Sequence, residues 1–398
     1  MSDPLMNVYN RAPLALVSGR GAWVFAEDGS TYLDCVGGVA TNALGHAHPA
    51  LVAALTEQAQ HLWHVSNIFQ IPQQTALADR LVAASFADRV FFANTGSEAV
   101  ECALKTARRY HAANGQPERI DIIGFEGSFH GRTYAAVNAS GNAAYLEGFG
   151  PRLPGYLQLN VRDAAGIEAA IAADTTAAVI VEPVQGEGGA RALSGEFLQR
   201  LRALCTEHGV LLIYDEVQSG MGRTGKLFAH QWFEGVEPDI MALAKALGSG
   251  FPVAACLATE AAAKGMTPGA HGSTFGGNPL AMAVAIAAFD EISRPETLML
   301  SRGVGHHLAV ELDHLIRRRP DVFVERRGKG MLIGLKLKPN NREFMAAARD
   351  RGLLVAGGGD NCIRLLPPLI LSREEAEFAL ERLEQTCDAF GAAPIRAA

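Results

Sequence analysis

Four short polar segments carry the side chains of this sequence that are best suited to chemistry, and each segment follows a short apolar run. They are Asn94–Ala99 after Arg89–Ala93, Glu182–Gly189 after Ala177–Val181, Asp215–Gly220 after Val210–Tyr214, and Lys245 after Ile240–Ala244. The segments offer a phosphate-type loop, carboxylates and an amine. Because ligand groups gather past the carboxyl ends of the strands in a parallel sheet, the four could converge on one small, anionic, ring-bearing cofactor.

Lys245 has two interpretations when its surroundings in the sequence are considered alone. It lies within the apolar stretch Met241–Gly248. A lone lysine in such a stretch usually extends its ammonium group to water, and the apolar pattern by itself favours that interpretation. A lysine that is partly desolvated instead has a lowered pKa and is suited to Schiff-base chemistry. Both interpretations stay open at this point.

The other segments are also ambiguous when each is taken alone. Thr95 and Glu98 have the spacing of a capping box, which predicts a helix start. Gly96 leaves backbone N–H groups open there, and a helix start also favours an anion such as phosphate. Asp215 closes an apolar run, where a carboxylate is costly unless it is paired. It could form a salt bridge, cap the next segment or hold a cation such as a pyridinium nitrogen.

Two further patterns suggest chemistry that we do not expect here. Gly220–Lys226 matches the spacing of a nucleotide-binding P-loop, but Leu227 follows where the magnesium-binding hydroxyl belongs. Two histidine pairs, His46 with His48 and His61 with His64, lack acidic or cysteine partners at a diagnostic spacing. We therefore predict neither a P-loop nor a catalytic metal.

Short apolar runs alternate with helix-like windows through the middle of the chain. Besides the four runs above, strands are predicted at Ile120–Phe125 and Val253–Ala258, and helices at Glu98–Asn114, Ala164–Ala173, Glu196–His208 and Pro279–Phe289. This alternation predicts an α/β fold with a mostly parallel sheet. Strand patterns at Ala22–Phe25 and Gly330–Lys336 predict that both chain ends form a smaller α+β domain. The predicted domains are residues 1–50 with 288–398, and residues 51–287.

Composition limits the classes of function. The chain has 398 residues and a formal net charge of −7, without a basic stretch that would suggest nucleic-acid binding. Arg317–Arg319 is interpreted as a solvated helix end. The first residues do not resemble a secretory signal, and no apolar run is long enough to span a bilayer. Six scattered cysteines are typical of buried thiols in a reducing compartment. We expect a cytoplasmic protein that binds neither nucleic acid nor membrane.

Taken together, the segments resemble one family over nearly the whole chain, the class III aminotransferases of pyridoxal-phosphate (PLP) fold type I, and within it the acetylornithine branch. The motifs that carry the resemblance are Tyr9–Pro13, Tyr32–Asp34, Leu44–Pro49, Asn94–Ala99, Phe129–Thr133, Glu182–Glu187, Asp215–Gly220, the Lys245 segment, Gly272–Pro279 and Ile363–Pro368. The sequence departs from the family at the phosphate loop, where Thr95-Gly96-Ser97 replaces the more frequent Ser-Gly-Thr or Ser-Gly-Ala. Hydroxyls remain on both sides of the glycine, but the change leaves the choice of amino donor open.

The resemblance implies a role for each matching residue. Lys245 is similar to the Schiff-base lysine, and Asp215 to the partner of the pyridine nitrogen. The implied cofactor-binding residues are Gly96, Ser97, Phe129, Asp215, Glu216, Val217, Gln218, Lys245 and Thr274, with Thr274 donated by a second subunit. Arg132, helped by Ser273, would bind the donor's α-carboxylate. Arg364 would bind the α-carboxylate of glutamate or 2-oxoglutarate, and Glu187 would pair with Arg364 when the donor is bound.

The implied reaction moves the δ-amino group of N2-acetylornithine to 2-oxoglutarate, giving N-acetylglutamate 5-semialdehyde and glutamate. It would proceed on a homodimer with shared active sites. Succinylornithine, succinyl-diaminopimelate, ornithine and 4-aminobutyrate stay open as donors. A PLP isomerase or decarboxylase of the same fold, or a non-catalytic regulator, is the alternative from another class.

Overall fold

The structure is a computed structural model that describes residues 4–391. Residues 1–3 and 392–398, which the predicted small domain includes, lie outside the described residues. The strands are β1 Leu16–Arg20, β2 Trp23–Ala26, β3 Thr31–Asp34, β4 Arg89–Ala93, β5 Asp121–Phe125, β6 Tyr156–Leu159, β7 Thr176–Val181, β8 Val184–Gln185, β9 Arg191–Ala192, β10 Leu211–Asp215, β11 Ile240–Leu243, β12 Ala254–Ala258, β13 Phe323–Lys329, β14 Leu332–Leu337, β15 Leu353–Leu354, β16 Ala356–Gly358 and β17 Cys362–Leu365.

The helices surround these strands. They are α1 Gly37–Ala40, α2 Pro49–Ala59, α3 Pro72–Ala84, α4 Gly96–Ala113, α5 Tyr134–Ala139, α6 Ala164–Ile171, α7 Gly195–Glu207, α8 Glu260–Ala263, α9 Pro279–Ile292, α10 Pro295–Arg318, α11 Asn341–Arg349 and α12 Arg373–Cys387, with 3-10 turns at Ala143–Tyr145, Ala229–Trp232 and Lys245–Leu247. None of the helices within residues 4–391 is long and apolar enough to cross a membrane.

A seven-stranded sheet forms the centre, in the order β4-β12-β11-β10-β7-β5-β6. All neighbouring strands run parallel except β12, which is antiparallel to both of its neighbours. Every residue of β7, β10, β11 and β12 is buried. Strands covered by helices on both faces have continuous apolar runs, which is why the sequence shows runs here and not alternation. The predicted mostly parallel α/β fold is confirmed.

The chain ends form two smaller sheets, β1-β2-β3-β15 and β13-β14-β17-β16. In the first, Leu353 and Leu354 pair in parallel with Leu33 and Asp34, so the two ends of the chain share a sheet. This pairing supports the predicted small domain, whose bounds remain a prediction.

The interpretation of Arg317–Arg319 as a solvated helix end is wrong for Arg319. Its side chain has no exposed surface and binds Asp321, Asp388 and the carbonyl oxygen of Cys387. The residue follows the last turn of α10, and its three acceptors offset the cost of burying the guanidinium group. Asp321 is close to Arg319 in sequence, but Cys387 and Asp388 lie at the end of α12. A local sequence pattern does not reveal contacts with such a distant segment.

Candidate active site

A cavity of about 300 Å³ opens where the four polar segments meet. Its walls include residues from each segment, and the opposite side is closed by Thr41 and by Gly250–Val253. Because β4, β7, β10 and β11 lie in one sheet, the segments that follow them come together at a single edge. The sequence-predicted residues that line the cavity are Gly96, Ser97, Phe129, Glu187, Asp215, Val217, Gln218 and Lys245.

The loop before α4 is built to receive an anion. Thr95 and Glu98 form the predicted capping box, with the Glu98 amide donating to the Thr95 side chain. The backbone N–H groups of Gly96 and Ser97 are therefore left without a partner among the described residues, at the positive end of an 18-residue helix. A Cβ atom on Gly96 would lie 2.8 Å from Val217 Cγ1, so a larger residue at this position would force Val217 to shift.

Lys245 is half-buried and lines the cavity. Burial, opposed by the charge of Glu187, lowers the pKa of Lys245 to about 8. Its backbone φ is 43°, in the left-handed region that costs a non-glycine residue free energy. The backbone strain and the lowered pKa both favour the interpretation of Lys245 as a reactive amine over that of a solvated surface lysine.

Asp215 is paired with a residue to which the sequence analysis gave no role. Its Oδ2 atom lies 2.7 Å from His130 Nδ1, and its Oδ1 atom accepts from the Val217 amide at 3.0 Å. Burial lowers the pKa of His130, but the hydrogen bond to Asp215 and the carboxylate charges outweigh it, so the pKa lies above its usual value. His130 Nε2 is buried and has no partner among the described residues. The two residues are 85 positions apart, so no spacing signal reveals the pair.

Glu182 is the second residue that the sequence analysis missed. It lines the cavity and accepts from the amides of Phe129 and Gly186. Burial raises the pKa of Glu182 to about 7; the charge of Asp215 adds to this effect and that of His130 opposes it. Its place directly after the buried strand β7 was the available sequence signal.

Arg364 and Glu187 form a two-pronged ion pair beside the cavity. Arg364 Nη1 lies 2.6 Å from Glu187 Oε1, and Nη2 lies 3.0 Å from Oε2. The Arg364 side chain is 3% exposed and that of Glu187 is 30% exposed. Arg364 also donates to the carbonyl oxygen of Gly357 and, at 3.4 Å, to Gln218. The guanidinium group is thus fully engaged within the chain.

Arg132 is held differently. Its guanidinium carbon lies 3.9 Å from the centre of the Tyr145 ring and 5.5 Å from that of Phe129. The side chain is exposed, and its backbone amide donates to Ser97 Oγ. Within residues 4–391, no carboxylate forms an ion pair with it.

Five of the predicted residues do not line the cavity of their own chain: Arg132 and Arg364, which lie beside it, and Glu216, Ser273 and Thr274. Glu216 turns away and accepts from the amides of Ala229 and His230 and from His230 Nδ1. Ser273 binds Asn94 and the Gly276 amide, not Arg132. Thr274 lines a neighbouring surface hollow instead.

The groups that line the cavity match those of PLP, which carries a phosphate, an aldehyde and a ring nitrogen. Two free N–H groups and the Ser97 hydroxyl suit the phosphate, Lys245 suits the aldehyde, and the buried Asp215 suits a protonated ring nitrogen. These groups line one cavity, so the residues present fit the cofactor. Elsewhere in residues 4–391, no three His, Cys, Asp or Glu side chains are placed to hold a metal.

Comparison with known proteins agrees with this chemistry. The family model "Aminotransferase class-III" matches residues 6–387. Acetylornithine aminotransferase 2 of Caulobacter vibrioides is 68% identical over 385 residues, which covers 97% of this chain and 95% of that protein.

Solved structures of aminotransferases are also similar to this chain. The N-acetylornithine aminotransferase of Stenotrophomonas maltophilia has a TM-score of 0.84 and 38% identity, with 96% of this chain and 97% of that chain covered. The ornithine aminotransferase of Toxoplasma gondii, in a structure with partial occupancy of PLP at its active site, has a TM-score of 0.92 and 32% identity, with 96% of this chain and 92% of that chain covered.

Proposed function

The chain belongs to the class III aminotransferases, which depend on PLP, and from this premise we propose that it transfers the δ-amino group of N2-acetylornithine to 2-oxoglutarate. The products are N-acetylglutamate 5-semialdehyde and glutamate. The 68% identity to an acetylornithine aminotransferase supports this donor. The higher TM-score of the ornithine aminotransferase reflects the shape of the backbone, and at 32% identity it says less about the side chains that contact a donor.

The different states of the two arginines carry the proposal. Arg364 is masked by Glu187, whereas Arg132 has no ion pair among the described residues. The donor reacts through an amine that is far from its carboxylate, and glutamate reacts through the amine beside its α-carboxylate. One free and one masked arginine can serve both substrates, because Glu187 opposes binding of the donor's carboxylate at Arg364. Arg132 then takes the donor's carboxylate through two parallel hydrogen bonds.

The cofactor, when bound, supplies an electron sink that is conjugated to the reacting carbon. We assign Lys245 as the amine that holds it covalently and, once released, moves a proton through its Nζ atom. Asp215 would keep a proton on the ring nitrogen, and His130, 2.7 Å away, would fix the Asp215 carboxylate. The N–H groups of Gly96 and Ser97 would hold the phosphate, and Phe129, Val217 and Gln218 line the cavity that would receive the ring.

The pKa of Lys245 suits both of its tasks. An amine with a pKa of about 8 is partly unprotonated near neutral pH and can also accept and return a proton there. Glu182, with a pKa of about 7, can gain or lose a proton near neutral pH. Its protonation state therefore changes the net charge next to Asp215 and His130.

We further propose a homodimer in which each subunit completes the other's site. The segment 62–69 exposes Leu62, Trp63, Ile68 and Phe69 beside the exposed Phe275. Asn67 joins this segment to the Ser273 and Gly276 carbonyl oxygens, so the apolar surface surrounds Thr274. An exposed apolar patch of this kind suits a self-complementary interface. A second copy docked there would bring Thr274 toward the partner's cavity.

Hybrid dimers test the shared site. Lys245→Ala and Thr274→Ala subunits, each inactive or weak alone, should form a hybrid with one intact site when they are unfolded and refolded together. Recovery of up to about a quarter of wild-type activity is expected from random pairing. No recovery, despite dimers in light scattering, would contradict a shared site.

We also propose a cytoplasmic localisation, as the sequence predicts. The six cysteines are buried and form no disulfide with one another, as is typical of proteins in a reducing compartment.

An absorbance titration tests the function directly. The PLP-loaded protein is mixed with N2-acetylornithine in the absence of a keto acid. Conversion of the cofactor band to that of the amine form, and its recovery on adding 2-oxoglutarate, is the expected result. A band that acetylornithine leaves unchanged would reject the donor, and ornithine, succinylornithine and 4-aminobutyrate would be tried next. A PLP isomerase or decarboxylase would not transfer the amino group to 2-oxoglutarate.

A further inference from the structure

Arg132 and Tyr145 form a close cation–π contact at the edge of the cavity. The guanidinium carbon lies 3.9 Å from the centre of the Tyr145 ring. Phe129 approaches from a second side, at 5.5 Å from the guanidinium carbon. The two rings are 5.7 Å apart and nearly perpendicular, at 88°. Arg132 therefore contacts two aromatic residues, one in the cavity wall and one outside it.

This contact differs in kind from the pair that holds Arg364. Glu187 occupies the N–H groups of Arg364, which must be released before a substrate carboxylate can bind. An aromatic face attracts the positive charge through its electrons and accepts no N–H bond in the guanidinium plane. The guanidinium N–H donors of Arg132 thus have no partner within residues 4–391, while the orientation of the guanidinium group is restricted.

The position of Tyr145 is fixed by its own turn. It ends the 3-10 turn Ala143–Tyr145, which begins with Asn142 accepting from the Ala144 amide at 3.0 Å. The Tyr145 amide donates to the Asn142 carbonyl oxygen at 3.2 Å. Its hydroxyl makes no hydrogen bond to the described part of the chain, so the ring face is the part that acts on Arg132.

We propose that Tyr145 is a positioning residue that holds the Arg132 guanidinium ready for the α-carboxylate of the amino donor. The inference rests on the proposed function, which assigns that carboxylate to Arg132. A preorganised guanidinium group loses less conformational freedom when a substrate binds, so its effect is on donor affinity and not on the chemical step. Tyr145 would then contribute to donor recognition without touching the donor.

Two substitutions separate the ring from the hydroxyl. Tyr145→Phe keeps the aromatic face, and Tyr145→Leu removes it while leaving an apolar side chain. In single turnovers of the donor half-reaction, Tyr145→Leu should raise the half-saturating acetylornithine concentration about 2- to 5-fold, which corresponds to about 0.5 to 1 kcal/mol for a cation–π contact at an exposed site. The limiting rate should change less than about twofold, and Tyr145→Phe should behave like the wild type.

A donor without the carboxylate charge makes the test specific. The α-carboxamide of N2-acetylornithine keeps the δ-amine but offers Arg132 no anion. The wild type should discriminate strongly against it, whereas Tyr145→Leu should affect acetylornithine and leave the half-saturating concentration of the carboxamide unchanged. A loss of equal size for both compounds would mean that the substitution only disturbs the loop, and this would overturn the proposal.

Two further variants complete the design. Phe149→Leu is the matched control, because Phe149 is an exposed aromatic residue in the same loop without a ring contact to Arg132; it should leave both constants unchanged. In an Arg132→Gln background, Tyr145→Leu should add nothing, since its effect passes through Arg132. A full additional loss in that background would overturn the proposal.

Failure of this inference can be distinguished from failure of the proposed function. If the wild type does not use acetylornithine, or does not distinguish it from the carboxamide, the proposed function or the role of Arg132 is wrong, and the role of Tyr145 falls with it. If the wild type discriminates but Tyr145→Leu matches Tyr145→Phe, only the role of Tyr145 is refuted.

Discussion

Removing the Glu187 side chain should shift the enzyme's preference from the donor toward glutamate. In the intact pair, two short charge-assisted hydrogen bonds hold Arg364 away from any substrate carboxylate. Glutamate must displace Glu187 before its α-carboxylate can reach Arg364. Glu187→Ala removes that competition, so glutamate should bind more tightly. It should also let acetylornithine bind in an unproductive orientation, with its carboxylate at Arg364.

The size of the effect follows from the geometry of the pair. A hydrogen bond to a charged group contributes about 1.5 to 3 kcal/mol. The Glu187 side chain is 30% exposed and regains water when it is displaced, so the net cost of opening the pair is smaller than the sum of its two bonds. With a net cost of about 1.5 to 3 kcal/mol, kcat/KM for glutamate relative to acetylornithine should rise about 10- to 150-fold.

The fold should tolerate this substitution. Removing one partner of a fully buried ion pair costs about 3 to 5 kcal/mol. Arg364 keeps its hydrogen bonds to Gly357 and Gln218, and the cavity beside it admits water. A loss of about 1 to 2 kcal/mol in the free energy of unfolding is therefore expected, at the lower end for Glu187→Gln, which keeps an acceptor.

Single-turnover absorbance measurements of the two half-reactions give the required ratio. The ratio for Glu187→Gln should lie between the ratios for the wild type and for Glu187→Ala. The matched control is Glu207→Ala, which changes an exposed glutamate at the end of α7. A ratio within twofold of the wild-type value in a folded Glu187→Ala protein would refute the idea that Glu187 masks Arg364. A change in the limiting rate alone would place Glu187 in the chemistry instead.

Three other predictions concern the cofactor. Lys245→Ala should abolish multiple turnover and the visible band of the covalently held cofactor; continued turnover, measured as glutamate formed, would disprove the assignment of Lys245. Because the unprotonated amine is the reactive form and its pKa is lowered to about 8, recombination of the apoenzyme with PLP should quicken from pH of about 7 to 9 and then level off, whereas a rate still climbing at pH of about 10 would contradict the lowered pKa. Gly96→Ala places a methyl group 2.8 Å from Val217 Cγ1 and should weaken PLP binding about tenfold in titrations of the apoenzyme. Gly303→Ala is the control, because a Cβ atom at that position meets no atom within 4 Å. Equal PLP affinities of the Gly96→Ala and Gly303→Ala proteins would argue against a closely fitting phosphate site.

Local patterns were sufficient to predict the scaffold of the site. The apolar run Arg89–Ala93 coincides with β4, and the Thr95–Glu98 spacing forms the predicted capping box at α4. Both features depend on interactions within a few residues, which a single sequence displays directly. The convergence of Asp215 and Lys245 follows from one rule about parallel sheets, since β10 and β11 are parallel neighbours.

The contacts that the sequence did not reveal join distant segments or depend on side-chain direction. His130 meets Asp215 across 85 positions, and the separation of 13 positions between Arg132 and Tyr145 corresponds to no helical or strand period. The orientation of Glu216 was within reach of sequence reasoning. Successive side chains of an extended segment point to opposite faces, so Asp215 and Glu216 could not both face the cavity.

The Glu187–Arg364 ion pair is positioned by the β16–β17 turn, which lies outside the motifs that carry the family resemblance. The Gly359 amide donates to the Glu187 carbonyl oxygen at 2.7 Å, which ties the β16–β17 turn to the loop that carries Glu187. Asp360, with a φ of 54°, anchors that turn by binding three cations, Arg191, Arg327 and Lys336. These cations come from β9, β13 and β14, so three strands fix the turn from which β17 presents Arg364. Because the Gly359 amide holds the Glu187 backbone and the anchored turn leads into β17, we expect the ion pair to open by rotation of the Glu187 side chain, without movement of the backbone. A side-chain switch can follow each half-reaction without a rearrangement of the fold.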